Sequence, residues 1–70
     1  MSEGITILAN GREERFDAPR SVAEFVMGHG WKPTQVVVER NGSVVPRGDF
    51  SKVVLANGDR VEVIVPVAGG

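Results

Sequence analysis

Val67-Ala68-Gly69-Gly70 closes the chain, and the group there with the most chemical promise is the carboxylate of Gly70. Glycine has no side chain to pack and loses the most backbone entropy on ordering. A diglycine after a strand-like run is therefore expected to project into solvent as a flexible tail over 67–70. A terminus without β-carbons can thread a narrow channel in another protein and present its carboxylate there. Gly70 would carry the reacting atom, Gly69 would keep the approach slim, and Val67 and Ala68 would set the reach. Gly-Gly alone fits an inert frayed end equally well, so the rest of the chain decides.

Few other residues compete for a chemical role. The 70-residue chain has no cysteine, which rules out a disulfide, a zinc knuckle and a thiol nucleophile. Its one histidine, His29, stands between two glycines and reads as a solvated surface group. Asp49, Asp59 and Glu62 form no metal-ligand cluster, and Gly28-His29-Gly30 lacks the third glycine of a phosphate-binding fingerprint. Trp31 reads as a core or loop-covering residue rather than a partner anchor. Eight basic and nine acidic residues interleave to a net charge of −1, without the basic excess or clustered face of a nucleic-acid binder. Met-Ser-Glu-Gly has neither a basic start nor an apolar run, and no stretch approaches the ~20 apolar residues of a membrane span. The expectation is a cytoplasmic protein, monomeric when free, with no membrane or nucleic-acid partner. Its one small domain should cover 1–66, with the tail at 67–70.

The elements that would position such a tail are well signalled. Ile5 to Ala9 reads as a strand with Ile5, Ile7 and Ala9 on one face. Asn10-Gly11 is a hairpin turn, and Arg12 to Asp17 returns as a polar edge strand with Phe16 inward. Ser21 and Glu24 have capping-box spacing, and Val22, Phe25 and Val26 make the apolar stripe of a two-turn helix ended by Gly28 and Gly30. Val36 to Val38 reads as a buried strand and Asn41-Gly42 as its turn, with Val44 and Val45 as a brief extended piece ended by Pro46. Val53 to Leu55 reads as another short strand, and Asn57-Gly58-Asp59 as a turn. Arg60 to Val65 then alternates, with Val61, Val63 and Val65 on the helix-covered face and Ile64 on the open one.

This order implies an α+β fold of the β-grasp, or ubiquitin-like, kind: one main helix packed on a mixed four- to five-stranded sheet, first and last strands central. Ile7, Val22, Phe25, Val26, Val61 and Val63 are the expected core. Leu8 faces the same way as Ile64, so the two are expected to meet as an apolar docking patch rimmed by Arg47 and Arg60.

The C-terminal half also carries Val38-Glu39-Arg40-Asn41-Gly42, Val44-Val45-Pro46-Arg47, Asp49-Phe50, Asn57-Gly58-Asp59 and the final Val67-Ala68-Gly69-Gly70. In order and spacing these resemble the ubiquitin-like sulfur carriers of the ThiS family. Gly28-His29-Gly30 and the residues before Ile5 depart from that family's pattern but leave the tail intact. The resemblance implies a co-substrate rather than an enzyme, with no permanently bound cofactor. A ubiquitin-activating-like adenylyltransferase of the ThiF type would use ATP to adenylate Gly70. A sulfur donor such as a cysteine desulfurase would convert it to a thiocarboxylate, and a thiazole synthase of the ThiG type would consume the sulfur in thiamin biosynthesis. The alternatives are the small subunit of molybdopterin synthase, which shares fold and tail, a ubiquitin-like modifier joined to lysines, and a β-grasp module whose Gly-Gly is inert. Short length and the Asn…Val-Pro-Arg spacing favour the thiamin carrier.

Overall fold

The structure of the chain, a computed structural model, describes residues 3–67. Five strands form one sheet: β1 (Ile5–Ala9), β2 (Arg12–Phe16), β3 (Val37–Arg40), β4 (Ser43–Val45) and β5 (Arg60–Ile64), in the order β2-β1-β5-β3-β4. The helix α1 (Val22–Gly28) crosses one face. This is the β-grasp arrangement, with two antiparallel hairpins joined by parallel pairing of β1 with the central β5.

Local chemistry explains each element. Asn10-Gly11 and Asn41-Gly42 hold positive φ at both residues (50° and 80°, 52° and 87°), the twist a two-residue hairpin requires. The capping box forms: Glu24 N–H donates to the Ser21 hydroxyl at 3.0 Å, and Ser21 N–H donates to the Glu24 carboxylate at 2.8 Å. These bonds hold the Glu24 carboxyl below its usual pKa, the Ser21 backbone amide foremost and its hydroxyl next.

The expected core is present. Ile7, Val22, Phe25, Val26, Val61 and Val63 are all buried, joined by Ile5, Ala9, Val36, Val38, Val45, Phe50 and Leu55. Phe16 packs edge-on to Phe25, ring centres 6.2 Å apart.

Three expectations change, and that for His29, which is at the surface as expected, gains detail. Val53–Leu55 contributes no strand, only a bridge between Val54 and Ser21, with Leu55 sent into the core and Val54 left exposed. Val65 lies past the end of β5 and is 50% exposed, because the covering elements stop short of it. Val37 turns away from the core between buried Val36 and Val38, as period-2 alternation demands. His29 is not simply solvated: its Nε2 lies 2.8 Å from the Glu14 carboxylate, and its ring stacks on Trp31 at 4.9 Å, so it fastens the helix end to the edge strand β2.

Side-chain amides extend the ladders where strands turn away. At the end of β1, Asn10 accepts from Val63 N–H at 2.8 Å and donates to Val63 C=O at 3.3 Å, standing in for the next residue of a strand. Asn41 accepts from Arg60 N–H and Asn57 from Thr6 N–H.

Candidate functional site

The predicted reactive residues Ala68, Gly69 and Gly70 lie outside the described residues. The structure does place the body from which they depart. β5 runs through the middle of the sheet and leads from Ile64 through Val65 and Pro66 to Val67, which is 91% exposed. The face of the sheet away from α1 is open and borders that exit.

Strand register decides which residues share that face. Leu8 pairs with Arg60 across β1 and β5, while Ile64 sits opposite Val37 across β5 and β3. Leu8 and Ile64 therefore share the open face without meeting: Ile64 lies four residues further along β5 than Leu8's neighbour Arg60, or roughly 13 Å at a strand's rise. The parallel register puts Leu8 beside the start of β5 and Ile64 at its end. The expected contact between them is thus corrected.

Two separate surfaces result. Leu8 and Arg60, with Thr6, Glu13 and Asn57, line a shallow groove of about 330 Å³ at the far end of β5. Arg47 belongs to the other side, lining a hollow of about 200 Å³ with Val37, Val44, Pro46 and the buried Phe50. Its Nε donates to the Pro33 carbonyl at 3.0 Å, which anchors the side chain there. Ile64 and Val37 thus stand opposite each other beside the tail exit, while Val44, level with Glu39 and Glu62, adjoins Val37 in the Arg47 hollow; Ile64 is 47% and Val44 60% exposed. Val37 and Val44 are the residues sequence reasoning missed. Strict alternation through Val36-Val37-Val38 was the signal that would have turned Val37 outward.

Charge on this face is mixed, with one like-charge contact: Glu39 stands directly opposite Glu62. Such a pair disfavours the isolated sheet. Among the described residues there is no group of His, Asp or Glu able to hold a metal ion, and no helix long and apolar enough to cross a membrane.

A five-stranded mixed sheet with one helix across it defines a β-grasp domain, and comparison with known proteins agrees. Residues 4–70 match the ThiS family. The chain belongs to the ThiS family. It is similar to the thiamine biosynthesis protein ThiS of Geobacter metallireducens, whose crystal structure superposes with a TM-score of 0.81 at 28% identity, covering 94% of this chain and all of that one. The solution structure of a thiamine biosynthesis protein from the same organism superposes at 0.77, again at 28% identity, covering 94% of this chain and 88% of that one. Among curated proteins, it is 39% identical over 61 residues to a thiazole synthase of Magnetococcus marinus, covering 87% of this chain and 19% of that protein. It is 31% identical over 64 residues to a thiazole synthase of Paramagnetospirillum magneticum, covering 91% of this chain and 20% of that protein. The chain thus spans about a fifth of the length of these two relatives.

Proposed function

We propose that this chain carries sulfur for thiazole formation in thiamin biosynthesis on the carboxyl end of Gly70. A carboxylate resists nucleophiles through resonance and charge. Transfer of AMP from ATP, with release of pyrophosphate, makes the terminal carbonyl an acyl-adenylate. The outer sulfur of the donor's persulfide then displaces AMP to give an acyl disulfide, and a second thiol cleaves its S–S bond, leaving a disulfide and a terminal thiocarboxylate whose sulfur a thiazole synthase consumes. The chain's part is to present its end, and the adenylating enzyme and sulfur donor supply the chemistry. The observation that carries this reading is the family match, which runs through Gly70 itself. The two thiazole synthases containing a similar stretch support that enzyme as the consumer.

The Ile64–Val37 pair and the adjoining hollow lined by Val44 and Arg47 make the docking surface in this reading, since the pair borders the exit of the tail. The domain proper would cover 1–66 and work in the cytoplasm, where ATP is available.

The test is intact-mass analysis after incubation with ATP, the ThiF-type enzyme encoded by the same genome, a cysteine desulfurase and cysteine. The parent chain should gain the mass difference between sulfur and oxygen, and a chain extended by alanine after Gly70 should not. Sulfur transfer by the extended chain would overturn the proposal.

A further inference from the structure

Past Ile64 the two edges of the departing strand are unequal. Residues of β5 alternate in the neighbour they address: Arg60 C=O accepts from Asn41 N–H on the β3 side, whereas Val61 C=O accepts from Asn10 N–H on the β1 side. Val63 also addresses the β1 side, where the Asn10 carboxamide takes both its N–H and its C=O. Continuing the alternation, Val65 turns its N–H and C=O toward the β1 side and Pro66 faces β3.

The β3 side is closed. Proline has no N–H to donate, and the residue level with Pro66 is Gln35, already held in a 3-10 turn over Pro33–Gln35 by its bond to the Lys32 carbonyl. The β1 side is open, because Asn10-Gly11 carries the chain away into β2. Among the described residues, no hydrogen bond reaches the backbone of Val65.

We propose that an extended segment of the tail-binding enzyme adds to the sheet along this open edge, pairing with the backbone of Val65 beyond the Asn10 carboxamide. The inference rests on the carrier reading above and deepens it. From Val65 to Gly70 is at most about 17 Å of extended chain. An enzyme holding Gly70 in its active centre therefore comes within that distance of this edge, where two unpaired main-chain groups are available. Strand addition gives main-chain hydrogen bonds without demanding a particular side chain. The side chains of Val65 and Val67, 50% and 91% exposed, call for an apolar surface on the added segment. Asn10 fixes where the added segment begins, and Pro66 fixes the side on which it lies.

The experiment uses the ThiF-type enzyme of the same genome as the probe. Val65→Pro removes the one donor, and the strand conformation of Ile64 is compatible with a following proline. Its melting temperature should match the parent's, while its affinity for the enzyme should drop about tenfold, the effect of one lost main-chain bond with its partner left unsatisfied. Pro66→Ala should bind like the parent. Amide exchange at Val65 should be fast in the free chain and strongly slowed in the complex. Parent-like binding by Val65→Pro, or unslowed exchange at Val65 in the complex, would overturn the edge proposal and leave the carrier reading standing. Slow exchange at Val65 in the free chain, rising with concentration, would assign the edge to a second copy and also overturn it. Failure of the parent to bind or be adenylated would sink the carrier reading, and this inference with it.

Discussion

Asp59 is 7% exposed where the Asn57-Gly58 turn enters β5, and three donors converge on its carboxylate. Arg40 Nε lies at 2.8 Å, Asn41 Nδ2 at 3.0 Å and the Ala56 amide at 2.8 Å. Burial works to raise its pKa, but the Ala56 amide, Arg40 and Asn41 together outweigh it and hold the carboxyl below the usual range. A folded pKa below the unfolded value of about 3.9 means the stabilisation is full above that value. It is lost as pH falls through the folded one. Asp59→Ala should therefore cost about 2–3 kcal/mol at neutral pH, because the Ala56 amide and Arg40 are left without their acceptor. Melting curves should show the gap between parent and variant closing in acid. A gap that persists would mean the loss is packing, not charge. None of this was legible in the sequence, where Asp59 read only as a turn residue and not a metal ligand. The same holds for Asn10 and Asn57: their tolerance of turns is local and visible, whereas their bonds reach 53 and 51 residues along the chain.

Among the elements, α1 is the one most dependent on its surroundings. Seven residues are too few for a helix to persist alone in water, so its ends and its buried stripe sustain it. Ser21→Ala removes the cap and should cost about 1 kcal/mol by denaturant titration. Phe25→Ala empties a site in contact with the Phe16 and His29 rings and should cost roughly 3–5 kcal/mol, a large part of so small a domain's stability. A Phe25→Ala variant melting near the parent would contradict the core described above. The strands carry the opposite kind of signal in Glu39 and Glu62, which face each other across β3 and β5. Glu62→Gln should stabilise the fold by roughly 0.5 kcal/mol, and an unchanged or lowered melting temperature would show that the pair is already relieved by solvent. Element order and type were readable because hairpin turns, capping box and alternation are local chemistry. Val53–Leu55 misled because β-branched residues suit a strand, but no neighbouring strand was available to pair with them beyond the single bridge to Ser21.

On the scale of the whole molecule, the parallel pairing of β1 with β5 set what the sequence could not give, namely which open-face residues are neighbours. Alternation assigned Leu8 and Ile64 to the correct face, but register lies in the pairing of distant strands and separates them. Partner binding should follow the corrected map. Changing Ile64 and Val44 together to serine should weaken association with the adenylating enzyme and leave melting unchanged, since both are largely exposed. Leu8→Ser, in the distant groove, should do much less. Equal losses would show that the partner covers the entire face. The central place of β5 has one more consequence, for synthesis. The β1–β2 hairpin, α1 and the β3–β4 hairpin all leave the ribosome before the strand that must lie between them. Until β5 emerges, the nascent chain holds two half-sheets with bare inner edges, and the long-range pairing that closes the fold comes last. A chain broken off before β5 should therefore show no cooperative melting, since nothing else in the sheet joins the two hairpins.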